Sequence, residues 1–325
     1  MERARHLLTT LLLLCTMTAT AHDFEVGGIC YNILTDSTVE VTYQGSSYKD
    51  DYHKYSGSVT IPETVTTSRG ITYSVTNIES CAFMKCSSLK SATIGNSVTT
   101  IGGSAFEGCS GLNAVHISNI AAWCNISFTG YLANPLYYAK TLYLNGNLLT
   151  ALTVPDEITQ IKNYAFYNCK GLKNVTICDG VKSIGAYAFN GCNNMETLYI
   201  SSTIESFGNY AFADCNNIFE IKTASKKAVT ASENVFSSDA YINACLYVPA
   251  GRKFAYEKAT PWNNFHIVEM DFTGIDEVLE DVKTEPAVDA SQNVKVQTIY
   301  DLNGRAVENP SNGIYIVNGK KMLVK

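Results

Sequence analysis

The chain repeats one pattern of apolar residues at a fixed spacing of 23 residues. A Cys follows each phenylalanine of the pattern by three residues, and a Leu, Met or Ile follows each Cys by three more. The phenylalanines in this register are Phe83 and Phe106, then Phe166, Phe189 and Phe212. A period between about 20 and 50 residues is typical of arrays in which each repeat is one structural unit.

Each repeat combines a helical-turn period with a strand period. In the copy from Tyr164 to Gly185, the Phe, Cys and Leu recur every three residues, which places them on one side of a short helical turn. Val175 and Ile177 then alternate with polar residues, which predicts a strand with one buried face. A single turn and strand cannot bury that face alone, whereas stacked copies can. We therefore predict a β-rich repeat solenoid with short helical turns.

The cysteines of the repeat form one column of the predicted core. They are Cys86, Cys109, Cys169, Cys192 and Cys215. Free Cys is among the most buried residue types, so we expect five buried free thiols. Stacked Cα atoms would also lie close enough for disulfides, and that alternative stays open. The cysteines outside the column cannot be paired from the sequence: Cys30, Cys81, Cys124, Cys178 and Cys245.

The repeat resembles the BspA-like, or treponemal-type, leucine-rich repeat over roughly residues 24–270. The resemblance is carried by the L-x-x-V-x-I segments 112–117 and 172–177, with the C-x-x-L and I-G-x-x-A-F elements around them. It implies a right-handed coil array of leucine-rich repeats. It also implies an adhesion protein that binds host extracellular-matrix or bacterial surface proteins. A glycan-binding surface protein, or a structural cell-surface component without a soluble ligand, is the alternative.

The array is interrupted once and needs a cap at each end. Phe106 and Phe166 are 60 residues apart, so an irregular insert at about 118–160 interrupts a solenoid predicted over 78–270. Asn145-Gly146 within it predicts a tight hairpin turn. We expect the aromatic residues of the insert to pack against the flank of the solenoid rather than bind a ligand. They are Trp123, Phe128, Tyr131, Tyr137 and Tyr138.

The caps are predicted from alternating apolar residues and from one Trp. Alternation over 22–77 predicts an N-terminal β cap of antiparallel strands. Residues 241–270 predict a C-terminal cap with a last strand, a short helix and Trp262 sealing the core. Without such caps the terminal coils would expose their apolar faces.

The two ends of the chain carry export signals. Residues 1–21 have the basic start, short apolar core and Ala19-Thr20-Ala21 ending of a signal peptide, which predicts a mature start at His22. The apolar run is too short for a transmembrane helix, so none is expected in the mature chain. Residues 271–291 are acidic and predict a linker. Residues 292–325 contain Y-D-L-N-G-R at 300–305, Pro310-x-x-Gly313-x-Tyr315 and a Lys-rich last strand, and with these they resemble the C-terminal sorting signal of type IX secretion.

That second resemblance implies a small antiparallel β tail that is recognised by the type IX secretion machinery. The protein would then be secreted or displayed at the cell surface, on the outer membrane of a Gram-negative bacterium.

One residue in each predicted strand points outward between two buried neighbours, because side chains alternate between the faces of a strand. The ligand-binding column predicted on this basis is Thr93, His116, Tyr143, Thr176, Tyr199, Lys222 and Tyr247. One interpretation is a parallel ladder of contact residues on the strand-lined face, where repeat proteins usually bind. The other is ordinary β-propensity on a solvated face.

The sequence offers no pattern typical of catalysis or metal binding. His22, His53, His116 and His266 are isolated in the sequence, and the H-E-x-x-H, C-x-x-C and G-x-S-x-G patterns do not occur. We therefore expect neither an enzyme nor a metal or cofactor. The formal net charge of -6 argues against a nucleic-acid partner.

Overall fold

The computed structural model describes residues 22–49, 54–272, 299–300, 306–307, 313–317 and 320–324. The chain divides into two compact units, Met1–Met270 and Asp271–Lys325. The predicted signal peptide lies outside the described residues, as does the predicted linker apart from residues 271 and 272. None of the helices in the described part of the chain has the length and apolar run needed to cross a membrane.

Short strands dominate the first unit, with single-turn helices between some of them. The strands are β1 (Phe24–Val26), β2 (Ile29–Ile33), β3 (Thr38–Thr42), β4 (Gly57–Ile61), β5 (Thr64–Thr66), β6 (Thr72–Ile78), β7 (Leu89–Ile94), β8 (Thr100–Ile101), β9 (Ala114–Ile117), β10 (Ser127–Phe128), β11 (Leu142–Leu144), β12 (Asn147–Leu148), β13 (Ala151–Val154), β14 (Gln160–Ile161), β15 (Asn174–Ile177), β16 (Ser183–Ile184), β17 (Thr197–Ile200), β18 (Ser206–Phe207), β19 (Glu220–Thr223), β20 (Cys245–Pro249) and β21 (His266–Met270). The α-helices are α1 (Ile120–Cys124), α2 (Leu136–Ala139), α3 (Ser238–Asn243) and α4 (Lys253–Glu257).

Successive coils stack through parallel strands in register. The longer strands form one parallel series from β4 through β7 and β9 to β11, and a second from β13 through β15, β17, β19 and β20 to β21. Two-residue strands on another side of each coil form shorter parallel series, such as β14-β16-β18. Val175 lies opposite Leu198, and Leu198 lies opposite Ile221. The predicted β-rich solenoid with short helical turns is confirmed.

The phenylalanines of the repeat stack on one another inside the coils. Phe166 and Phe189 have ring centroids 5.0 Å apart, and Phe189 and Phe212 are 5.2 Å apart, with interplanar angles of 8° and 5°. These rings are fully buried. The column continues to Phe236, 5.3 Å beyond Phe212, although no Cys follows Phe236 at the repeat spacing. The core is therefore continuous from coil to coil.

The cysteine column is buried and its thiols are free, as the sequence predicts for these five residues. Three thiols donate to the backbone oxygen of the phenylalanine in the preceding coil: Cys109 to Phe83 at 3.0 Å, Cys192 to Phe166 at 3.1 Å, and Cys215 to Phe189 at 3.1 Å. The thiol thus fills the core and also satisfies a buried carbonyl, which a larger apolar side chain would not do.

The irregular insert is a longer coil followed by a hairpin. Leu142 of β11 pairs with Val115 of β9, so this coil is 27 residues long rather than 23. The strands β11 and β12 then pair antiparallel around Asn145-Gly146, whose φ angles are 50° and 82°. The predicted hairpin turn is confirmed. It ends the first parallel series, and β13 begins the second one.

The N-terminal cap differs from the prediction of antiparallel strands throughout. The strands β1, β2 and β3 are antiparallel neighbours, but β3 pairs parallel with β6 and β4 pairs parallel with β7. Strand β4 therefore already serves as the first rung of the strand-lined series, because its Val59 and Ile61 are buried in the same core.

The C-terminal cap is closed by Trp262. Its side chain is 2% exposed, and its indole N–H donates to the Val229 oxygen at 2.8 Å. Phe207 and Phe236 lie against its ring, with centroids 5.7 and 5.8 Å away. The predicted role of Trp262 in sealing the core is confirmed.

The described strands of the second unit form a small antiparallel sheet. Its described strands are β22 (Ile299–Tyr300), β23 (Ala306–Val307), β24 (Gly313–Val317) and β25 (Lys320–Val324). They lie in the order β23-β22-β24-β25. This agrees with the small antiparallel tail implied by the sequence resemblance.

Candidate functional site

The predicted binding column lies on the strand-lined face, but it is two ladders rather than one. Its members are half-buried on their strands. Thr93, His116 and Tyr143 pair in one series, and Thr176, Tyr199, Lys222 and Tyr247 pair in the other. The prediction of a single column is wrong because the β11–β12 hairpin turns the chain back beside Tyr143, which pairs with Leu148 instead of with a further coil.

Each ladder also contains rungs that the 23-residue spacing did not reveal. Thr60 precedes Thr93, Thr153 precedes Thr176, and Val268 follows Tyr247. All three belong to strands beside the caps or the hairpin, where the Phe and Cys positions of the repeat are absent. Alternation within those strands was the signal that could have found them.

Within each ladder, neighbouring side chains contact one another along the strand-lined face. His116 and Tyr143 stack with ring centroids 4.9 Å apart and an interplanar angle of 27°. Lys222 forms an ion pair with Glu220 at 2.7 Å, and its Nζ lies 5.8 Å from the centroid of the Tyr247 ring. Burial, followed by the nearby Cys245 and Glu220, raises the pKa of the Tyr247 hydroxyl. Four members of the ladders are therefore already engaged in contacts within this face: His116, Tyr143, Lys222 and Tyr247.

A larger group of aromatic side chains lies on the side of the coils formed by the helical turns. We call it the tyrosine surface and define it by seven residues: Tyr131, Tyr137, Tyr138, Tyr164, Tyr167, Tyr187 and Tyr210. Ring contacts connect all of them, with centroid distances between 4.8 and 6.2 Å. Tyr131 is 44% exposed and Tyr210 is 39% exposed, and the other five are half-buried.

Three members of the tyrosine surface form a stacked column with an unusual backbone. Tyr164, Tyr187 and Tyr210 stack at 5.3 and 5.0 Å with interplanar angles of 7° and 20°. Their φ angles are 63°, 58° and 60°, in the left-handed region. That conformation costs about 1–2 kcal/mol for a residue with a Cβ. The same left-handed φ occurs at the equivalent positions of other coils, 63° at Cys81 and 55° at Ser104, so this conformation belongs to the repeat.

The phenol groups of Tyr164 and Tyr167 remain protonated at neutral pH. Burial, followed by neighbouring tyrosines, raises the pKa of Tyr164 and of Tyr167. Each phenol can therefore donate as well as accept a hydrogen bond. The Tyr138 hydroxyl is already engaged, because it accepts a hydrogen bond from the Gly108 amide at 2.9 Å and so anchors the insert to the preceding coil.

The aromatic residues of the insert pack against the solenoid, as the sequence predicts. Trp123 and Phe128 are buried, and the Trp123 indole donates to the Ala165 oxygen at 2.8 Å. Tyr131 and Tyr137 lie against Tyr167, at 5.9 and 6.2 Å, and so extend the tyrosine surface. Tyr164, Tyr187 and Tyr210 recur every 23 residues, so the same repeat spacing could have revealed the column.

The described residues also bring three possible metal ligands together at the N-terminal cap. One ligand atom each from His22, Glu25 and Cys30 lies within 4.8 Å of the other two. The sequence did not indicate this group, because its members come from opposite strands of a hairpin and the chain segment before it.

Comparisons with known proteins identify the repeat. The family model described as "BspA type Leucine rich repeat region" matches six copies over residues 57–132 and 139–250, more than half of the chain. No curated protein matches the chain.

Several solved bacterial structures have a similar fold. A leucine-rich cell surface protein from Faecalibacterium prausnitzii A2-165 is 18% identical, with a TM-score of 0.43, over 76% of this chain and 72% of that one. The T. pallidum leucine-rich repeat protein is 17% identical, with a TM-score of 0.31, over 62% and 71%. A leucine-rich repeat protein from Bacteroides ovatus is 18% identical, with a TM-score of 0.33, over 70% and 71%. These similarities concern the fold alone.

Proposed function

Because the chain belongs to the BspA-type leucine-rich repeat family, we propose that it is a non-catalytic adhesion protein that binds proteins of a host matrix or of other bacterial surfaces. It is secreted or displayed at the cell surface. The tyrosine surface is its main contact region. The family supports a protein-binding role. The clustering of seven tyrosines is the observation that supports the tyrosine surface as the contact region.

The chemistry of the tyrosine surface suits a protein partner. Tyr provides a large contact area with few rotatable bonds, and it is enriched at the centres of protein interfaces and among their energetically dominant residues. The seven members are uncharged, as the core of an interface tends to be. In the column, the Tyr187 ring is stacked between the rings of Tyr164 and Tyr210, so both of its faces are covered. A sugar stacking on an aromatic residue would need an open ring face.

Export supports the same function. A signal peptide at residues 1–21 would take the chain across the inner membrane, and the tail at 292–325 would be recognised for passage across the outer one. Both follow from the sequence. A protein displayed in this way would meet extracellular partners at high local density, so several weak contacts could combine into firm attachment.

The binding class is tested with purified exported protein against two sets of immobilised probes. One set contains collagen, laminin and fibronectin, each untreated and enzymatically deglycosylated, and the other is a glycan array. We expect saturable binding to at least one matrix protein that survives deglycosylation. Binding that is lost on deglycosylation, or that occurs only on the glycan array, would replace the proposal with the glycan-binding alternative.

A further inference from the structure

The N-terminal cap contains a group of metal-ligating side chains that the binding role does not use. We propose that His22, Glu25 and Cys30 form a binding site for a zinc ion. The site would fix the residue predicted to begin the mature chain onto the cap.

The hairpin of β1 and β2 places Glu25 and Cys30 side by side. Gly27 and Gly28 form its turn with φ angles of 62° and 79°, a conformation that favours glycine at both positions. Glu25 is the direct cross-strand partner of Cys30. The Cys30 amide donates to the Tyr55 hydroxyl at 3.0 Å, as expected for a non-hydrogen-bonded pair. In such pairs the side chains approach each other most closely.

Cys30 alternates with Ile29 and Tyr31, which belong to the apolar core, so its side chain lies on the other face of the strand. There the thiol interacts with the hydroxyl of Tyr55. The thiol is nevertheless buried, at 2% exposure, and burial is the main cause that raises its pKa. A metal ion would displace the thiol proton, because the thiolate is the ligand form.

His22 is held near the pair by the backbone that follows it. The Asp23 amide donates to the Tyr31 oxygen at 3.0 Å, and the Asp23 carboxylate accepts from the Ile33 amide at 2.7 Å. These bonds anchor the chain immediately before β1. The imidazole, carboxylate and thiol atoms then lie within 4.8 Å of one another. A tetrahedral zinc ion needs ligand atoms about 3.5 Å apart, given its bond lengths, so side-chain rotations can close the site.

The donor set favours zinc over Mg²⁺ and Ca²⁺. An imidazole nitrogen, a carboxylate oxygen and a thiolate sulfur are the ligand types of zinc, whereas Mg²⁺ and Ca²⁺ prefer oxygen alone. The thiolate and carboxylate together neutralise the charge of the ion. Glu25 is exposed and His22 is half-buried, so the ion can reach the site from solvent.

The test is a zinc titration of the untagged, exported and processed protein by competition with a chromophoric chelator. We expect one site whose dissociation constant rises at least tenfold in each of His22→Asn, Glu25→Gln and Cys30→Ser. Glu25→Gln changes an exposed side chain, so its effect cannot be attributed to unfolding. Cys245→Ser, at a half-buried cysteine of β20, is the control variant and should bind as the wild type does.

Cobalt substitution checks the ligand identity independently. Wild-type protein loaded with Co²⁺ should show a sulfur-to-cobalt charge-transfer band, and Cys30→Ser should lose it while Cys245→Ser keeps it. A wild type that binds no zinc, or three variants that bind zinc with unchanged affinity, would overturn the proposal. The adhesion role does not depend on either outcome.

Discussion

At the scale of single residues, the phenylalanine column and the tyrosine column beside it should contribute differently to the stability of the fold. Phe189 is fully buried between two stacked rings. Tyr187, two residues earlier, is partly exposed and has a φ of 58°. The first residue should therefore matter mainly for stability, and the second mainly for the surface that the coil presents.

Substituting Phe189→Ala should destabilise the first unit strongly. Truncating a buried Phe costs about 3–5 kcal/mol, because the apolar contacts are lost and a cavity remains. Because each coil contacts mainly its neighbours, the unfolding transition should also broaden. Urea denaturation followed by circular dichroism measures both effects. An unchanged midpoint would show that Phe189 is not a core position.

Substituting Tyr187→Gly should lower the free energy of unfolding by no more than about 2 kcal/mol. The variant relieves a left-handed strain of about 1–2 kcal/mol. It loses the stacking on the rings of Tyr164 and Tyr210, worth about 0.5–1.5 kcal/mol for each of the two pairs. The same urea experiment, with Phe189→Ala measured beside it, gives the comparison. A loss above 3 kcal/mol would mean that Tyr187 supports the core rather than the surface.

At the scale of elements, the cysteine column makes the stability of the array sensitive to alkaline pH. Burial raises the pKa of Cys109 and Cys169 of the column to about 12, from 9.0, and it does the same to Cys124 outside the column. Between pH 9.0 and about pH 12, the thiols of the folded chain keep protons that the unfolded chain releases. The free energy of unfolding therefore falls as pH rises above about 9. Denaturation midpoints at pH 8 and pH 10.5 measure this. Equal midpoints would contradict the buried, protonated thiols.

The oxidation state of the column is checked by mass spectrometry. Unfolding the protein without reductant in the presence of an alkylating reagent should label the column cysteines. Disulfide-linked peptides that join any two of them would contradict free thiols.

Repeated elements could be predicted from the sequence because one spacing fixes several contacts at once. The register of Phe189 on Phe166, and of Cys192 beside the Phe166 carbonyl, follows from the 23-residue step. The hairpin at Asn145-Gly146 was also predictable from its turn residues. That this hairpin ends the first parallel strand series could not be predicted, because this outcome depends on the length of chain between β11 and β13.

The candidate site was predictable only in part for a related reason. The strand-lined residues were identified by alternation, which is a property of one strand. The tyrosine surface joins Tyr131 and Tyr137 of the insert to Tyr167 of the next coil, a contact between segments whose relative placement the repeat does not fix. The same holds for His22, which approaches Cys30 only because the hairpin folds back.

At the scale of the whole molecule, the second unit should be dispensable for the fold of the first. The first unit is capped by Trp262 before the chain reaches residue 271. Deleting residues 292–325 should therefore leave the melting temperature of the first unit unchanged and retain the protein in the periplasm. Fractionation of expressing cells gives the location. A truncated chain that reaches the surface or medium at the normal level would exclude the sorting role.

The location of the binding site is the central claim, and matched tyrosine variants test it most directly. The measurement is the dissociation constant for the matrix protein that the wild type binds. Tyr131→Ala/Tyr210→Asn removes two exposed rings of the tyrosine surface, and Asn tolerates the left-handed backbone at residue 210. Tyr143→Ala/Tyr199→Ala removes two rings from the strand-lined face. Truncating an interface tyrosine costs about 1–2 kcal/mol when it lies near the centre of the contact.

We predict at least a tenfold weaker affinity for the Tyr131→Ala/Tyr210→Asn variant. The Tyr143→Ala/Tyr199→Ala variant should bind with an affinity within twofold of the wild type. Circular dichroism should show that both variants are folded. The reverse result, with binding lost only in the strand-face variant, would contradict the claim and assign the site to the ladders of the strand-lined face.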